Sequence, residues 1–356
     1  MKKKVKITIA LVVILGLILI AGSFLYTYFL SPVDKNSDAV IEVKVEQGMT
    51  SRDIGELLEK RGVIKNKNFF LLYLKINGCD SLKASTYDLK KGMSLEKIVD
   101  TLCKGNSYNE NVIRVTFKEG KTVKDYMKVI SDNFGYDYDA LIKDVNDRTY
   151  LQTLIEKYWF LDSSILNENI YYPLEGYLTP DTYEFDKNTE FKKIIEVLLE
   201  HTDKNLSPYK NSINSGKFSV HEYLTLASMA ELEGLNSKDR KLIVGVFINR
   251  LNLKMNLGSD VTTYYGLQKT MDRDLTTEEF NKKNFYNTRS SSMAGKLPIG
   301  PICNPSKVSI DASINPTDSQ YLYFVADKNG KIYYNTTNQD HLKAVKEIKE
   351  AGNWIW

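Results

Sequence analysis

Cysteine and histidine are scarce, three of each in 356 residues. Cys79, Cys103 and Cys303 are too few and too scattered for a disulfide framework; Cys79 and Cys103 could pair, but the sequence supplies no geometry for that bond. His201, His221 and His341 form no HExxH or comparable ligand spacing, so neither a metal site nor another cofactor is expected. The turns at Gly48 and Gly120 lack the spacing of phosphate-binding loops. Excess charge of one sign is also missing. Lys and Arg number 48 against 45 acidic residues, and without Lys2, Lys3, Lys4 and Lys6 the balance is 44 to 45. A near-neutral body argues against a nucleic-acid surface.

Ile7 to Leu30 is a run of 24 residues without a charge, long enough to cross a bilayer that needs about 20 helical residues. Four lysines precede it, which predicts a cytoplasmic N-terminus (1–6), a membrane segment (7–30) and an extracytoplasmic remainder. A cleaved signal peptide is the competing reading, with Ala21-Gly22-Ser23 as its small-residue site. Its apolar region should end sooner than this one, which continues to Leu30. Residues 31–38 read as a polar linker.

Beyond the linker the chain mixes helical and strand periodicities, an α+β pattern. Ile41, Val43 and Val45 alternate with charged residues as a strand does, and Gly48-Met-Thr50 with Asp53 opens a helix. The same signature returns 72 residues later: Ile113, Val115 and Phe117 alternate, then Gly120-Lys-Thr122 with Asp125 follows. Self-similarity of this kind points to a repeated strand, turn and helix rather than to a catalytic loop.

The central feature is Ser219 to Gly234. Ser219 with Glu222 forms a capping box, and Gly234 is placed to stop the helix in a left-handed conformation. Apolar residues cover more than half the cylinder, leaving His221, Thr225 and Ser228 as a narrow polar stripe. Glu231 falls off that stripe, between the directions of Val220 and Leu224, and Glu233 is also out of place. Burial raises a carboxyl pKa, so such a glutamate can hold a proton for a leaving group. Alternatively it is an end-of-helix carboxylate paired with Lys238, Arg240 or Arg250. Tyr172 to Phe185, dense in Pro, Gly and aromatics, is either a surface turn or a sugar platform on which Tyr177 and Tyr183 stack against pyranose rings. Lys296 to Pro305 reads as a stiff loop suited to a cleft wall. Residues 320–335 read as a hairpin, and His341 lies in the first turn of a final helix, where a structural role is the ordinary one.

Taken in order, Leu174-Glu-Gly-Tyr-Leu-Thr-Pro-Asp-Thr-Tyr183, Ala227-Ser-Met-Ala-Glu-Leu-Glu233, Val246-Phe-Ile-Asn-Arg-Leu251, Ser259-Asp260, Tyr286-Asn-Thr288, Leu297-Pro-Ile-Gly-Pro-Ile302, Asn304-Pro305 and Tyr321-Leu-Tyr-Phe-Val-Ala326 resemble the MltG, or YceG-like, endolytic murein transglycosylases. The resemblance implies a LysM-like subdomain at 39–111 and a catalytic domain at 112–356. It further implies that the substrate is peptidoglycan glycan strands and that the product carries 1,6-anhydro-MurNAc ends. Glu231 would be general acid and then base, with Glu233, Asp260, Tyr265, Asn287 and Asn304 binding sugar or holding Glu231. Association with peptidoglycan polymerases is implied in the same way. Val261 and Arg289 depart from the common family pattern, as does Asp340 beside His341. Two rivals remain: a non-catalytic peptidoglycan-binding scaffold, and a hydrolase that uses Glu231 with a second carboxylate.

Overall fold

The computed structural model describes residues 16, 22–79, 81–105 and 112–354. They fall into two compact units, Met1–Val112 and Ile113–Trp356. Most of the apolar 7–30 run, and with it the expected membrane segment, lies outside the described residues. Among those described, no helix is long and apolar enough to cross a membrane.

In the first unit a strand, Val40–Val45, is followed by helices Ser51–Lys60 and Lys67–Asn77, strand Ser85–Lys90 and helix Leu95–Lys104. The two strands pair antiparallel, with Val43 opposite Tyr87 and Val45 opposite Ser85. Alternation sends Val43, Val45, Tyr87 and Leu89 to one face, where Ile54, Leu58, Phe70, Ile98 and Leu102 complete a closed core. Cys79, just past the second helix, is disulfide-bonded to Cys103 in the last, so the pairing left open by the sequence is made. The 31–38 segment is docked rather than free: the Asp34 amide donates to the Lys91 carbonyl at 3.1 Å.

The second unit is mostly helical. Strand Val112–Phe117 pairs with Asp181–Asp186, and a hairpin of Tyr323–Ala326 and Ile332–Asn335 lies near its end. The self-similar turns are built alike. Thr50 and Thr122 each cap a helix while Asp53 and Asp125 bond back to the cap amide, and Gly48 and Gly120 both have positive φ. Asp181–Asp186 corrects the surface-turn reading of Tyr172 to Phe185. Only the first half of that stretch is a turn; the second half is a strand that buries Tyr183 and Phe185.

The Val220–Glu233 helix begins with the capping box expected of Ser219 and Glu222. Two cores meet on it: Leu224 and Ala227 belong to one, Leu226 and Met229 to the other. Burying each such leucine contributes about 1.5–3 kcal/mol. Its polar stripe is buried as well. His221 bonds the Tyr177 hydroxyl and the Ile299 carbonyl, both at 2.9 Å, and the Ser228 hydroxyl accepts from the Ile302 amide at 3.0 Å. The Pro-Gly loop therefore packs over the stripe and bonds His221 and Ser228, while Thr225 donates to the His221 carbonyl within the helix. Gly234 ends the helix, but in an extended conformation (φ −109°) rather than a left-handed one. Its missing side chain serves close packing, since a Cβ there would lie 2.7 Å from Arg240 Cγ.

Candidate functional site

Glu231 lies on the last turn of the central helix, with its side chain 5% exposed. Arg240, from the following helix Ser237–Asn252, donates to its Oε1 at 2.8 Å. The Ser306 amide and hydroxyl donate to its Oε2 at 2.9 and 2.6 Å. Arg240 also donates to the Ser306 hydroxyl at 3.0 Å, closing a triangle around the carboxylate. All three donors are aimed at the carboxylate oxygens. Of the ion-pair partners weighed for Glu231 from sequence, Arg240 is the one present. The turn at Gly120 closes the near side: its φ of +69° favours glycine, and a Cβ there would meet Leu232 and Glu231 Cγ in ordinary contact at 3.4 and 3.7 Å.

Glu233 has a different environment. Among the described residues its hydrogen-bond partner is the Ser259 hydroxyl, which donates at 2.6 Å. Burial pushes its pKa up to about 7 against the lowering effect of Ser259, with the Asp260 charge adding to the rise and Arg289 opposing it. It therefore exchanges a proton near neutrality. Asp260 is about half exposed and ion-paired to Arg289, which also lies over the Phe280 ring. Of the expected sugar-contacting residues, Asp260 is the one that stands at the surface.

Asn304, Asn287 and Tyr265, expected to bind sugar or to hold Glu231 in position, and Tyr177 and Tyr183, expected to stack on sugar, have buried polar atoms that are engaged within the fold. Asn304 accepts from the Gly176 and Leu178 amides at 3.0 Å each and donates to the Lys121 carbonyl at 3.2 Å. Its backbone pairs with Gly120 and Lys121. The segment that presents Ser306 to Glu231 is thus anchored two residues earlier. Asn287 accepts from Thr263 and donates to the Phe280 and Lys282 carbonyls. Tyr177 is committed to His221, and Tyr183 donates to the Thr179 carbonyl at 2.7 Å. Neither ring offers an open face, each being no more than 5% exposed. Tyr265 donates to Glu175 at 3.0 Å and packs edge-on against Tyr286, on whose ring Tyr171 stacks. Tyr171 is 37% exposed, so the open aromatic face lies one residue before the stretch singled out from sequence.

Glu175 was missed. It is 1% exposed and accepts from the Val123 amide at 2.9 Å, and burial raises its pKa to about 8 despite the Val123 and Tyr265 hydrogen bonds. The available signal was a carboxylate set among Leu174, Tyr177 and Leu178, all buried. His341 stacks on Tyr323 at 5.4 Å and burial lowers its pKa. Among the described residues no group of His, Cys, Asp and Glu is arranged to hold a metal ion.

The YceG-like family model matches residues 43–347. The chain is 36% identical to the endolytic murein transglycosylase of Streptococcus pneumoniae serotype 2 (strain D39), over 95% of this chain and 64% of that protein's length. To the endolytic murein transglycosylase of Bacillus subtilis (strain 168) it is 34% identical, over 94% of this chain and 92% of that one. A crystal structure of a YceG-like protein from Listeria monocytogenes superposes with a TM-score of 0.61 at 32% identity, covering 86% of this chain and 99% of that one. Matched by the family model over most of its length and by relatives above 30% identity, this chain belongs to the YceG-like family.

Proposed function

We propose that the protein is a membrane-anchored, extracytoplasmic lytic transglycosylase that cuts nascent peptidoglycan between MurNAc and GlcNAc. Glu231 is its acid and then its base. Protonated Glu231 gives its hydrogen to the bridging oxygen as the bond from that oxygen to C1 breaks. The resulting carboxylate takes the proton of the MurNAc C6 hydroxyl, whose oxygen closes on C1. No water is consumed, and the product ends in a 1,6-anhydro ring. The usual glycosidase scheme needs a second carboxylate to attack C1 or to activate water. Here the substrate's own hydroxyl does that work, so excluding water decides the product.

The observation that carries this reading is the buried Glu231 carboxylate held by Arg240 and Ser306. Its two oxygens are fixed in place before the C6 hydroxyl arrives. One observation favours a second assignment: burial raises the Glu233 pKa to about 7, which suits a resting acid. The names of the relatives support the substrate class. The first unit's strand, two helices and antiparallel strand support its LysM-like reading. The charge pattern of residues 1–30 and the Cys79–Cys103 bond support an extracytoplasmic location. Peptidoglycan polymerases are the proposed partners.

The test uses uncrosslinked glycan strands with the soluble ectodomain and its Glu231→Gln and Glu233→Gln forms, followed by mass spectrometry. Anhydro ends from the wild type and none from Glu231→Gln are expected, with reduced but measurable product from Glu233→Gln. Loss in Glu233→Gln alone transfers the acid role to that residue. Reducing MurNAc ends would mean hydrolysis, and glycan binding without cleavage would mean a scaffold.

A further inference from the structure

The Lys67–Asn77 helix carries an apolar stripe that the first unit's core uses only in part. Leu72 is 47% exposed and Ile76 63%, while Phe69, earlier on the same side, is covered. At 3.6 residues per turn Ile76 projects about 20° from Phe69, and Leu72 about 60°. The cover over Phe69 comes from the helical residues 22–30. Phe29 stacks on Phe69 with centroids 5.0 Å apart, and Tyr26 meets it edge-on at 5.7 Å. Tyr26 is also close enough to Tyr73 to oppose ionisation of that hydroxyl. Contact therefore moves from 69 toward 73 as the other partner moves from 29 back to 26, so the two helices run antiparallel. Continuing along the Lys67–Asn77 helix therefore leads toward the residue-22 end of the 22–30 helix, and from Phe69 to Ile76 is about 10 Å at 1.5 Å per residue.

The joint between the two helices is clamped. Lys65 Nζ donates to the Tyr28 carbonyl at 2.8 Å and the Ser31 hydroxyl at 2.7 Å, and lies 4.1 Å from the centre of the Tyr28 ring. At the far end Cys79 is tied to Cys103. Tyr26, Tyr28 and Lys65 are the residue types that settle at a membrane–water boundary.

We propose that the Leu72–Ile76 end of the Lys67–Asn77 helix rests in the interfacial layer of the lipid bilayer beside the anchor, fixing the first unit against the membrane. This rests on the anchor reading given above. The occupant is lipid because the helix that bears the exposed stripe packs through Phe69 on Tyr26 and Phe29, in the last part of the uncharged run read as the anchor. Interfacial helices bury their apolar faces about 5–10 Å into the headgroup boundary, a depth that the stripe matches.

The experiment places the photoreactive residue benzoylphenylalanine at position 24, 72 or 76 of the full chain, reconstituted in phosphatidylglycerol–phosphatidylethanolamine vesicles, and weighs the adducts after irradiation. Lipid adducts at 72 and 76 within about threefold of the yield at 24 are expected. Lipid at 24 with none at 72 or 76 overturns the proposal and leaves the anchor standing. Adducts at 72 and 76 of doubled protein mass replace lipid with a second copy and also overturn it. No lipid adduct at 24 removes the anchor and the proposal together.

Discussion

Glu175 is the most direct test of how burial acts in this fold. Its pKa rises from 4.5 to about 8, so at neutral pH it is mostly protonated in the folded chain and ionised in the unfolded one. The sign follows from linkage: the folded state holds the extra proton, so the contribution is complete below pH 4.5 and is lost as pH rises through about 8. At about 1.4 kcal/mol per pH unit, the loss is on the order of 5 kcal/mol across that window. Glutamine has the shape of the protonated carboxyl and cannot ionise. It keeps an acceptor for the Val123 amide and adds one amide hydrogen near Tyr265, at a cost of about 1 kcal/mol independent of pH. Glu175→Gln is therefore expected to be slightly less stable than the wild type near pH 5 and more stable near pH 9. Urea denaturation of the ectodomain followed by tryptophan fluorescence is the assay, because Trp159, Trp354 and Trp356 all belong to the second unit. Stability curves that stay parallel from pH 5 to 9 would refute the argument.

Arg240→Gln removes the cation from a carboxylate that is 5% exposed, at an expected cost of about 3 kcal/mol. It also frees the Glu231 carboxylate from the guanidinium that fixes it, which a lowered rate of anhydro-product release would record. Gly176→Ala is expected to cost 2 kcal/mol or more, since φ is +84° and the new Cβ would lie 2.5 Å from Pro301. Gly48→Ala, at φ +91° with open space, is the milder control in thermal melts. Replacing Cys79 and Cys103 with serine opens a loop of 24 residues and should destabilise the first unit by about 3 kcal/mol, read by amide exchange in that unit.

What the sequence determined by itself is local. Ser219 with Glu222 and the two Thr–Asp boxes are legible because a cap and its helix lie within four residues of one another. The alternation of Val43 and Val45 is legible because a strand's faces repeat every second residue. The misplaced direction of Glu231 could be read from helical periodicity, and its family motif from order and spacing. Tertiary structure alone decided which groups met that carboxylate: Ser306 lies 75 residues on and Arg240 on another helix. It also decided that the polar atoms of Asn304, Tyr177 and Asn287 are buried and bonded within the fold, since a polar residue in a loop looks the same in sequence whether water or a backbone amide fills its valences. The divergence of Glu231 and Glu233, two residues apart, has the same origin. Neighbours distant in sequence supply an arginine to one and a serine hydroxyl to the other.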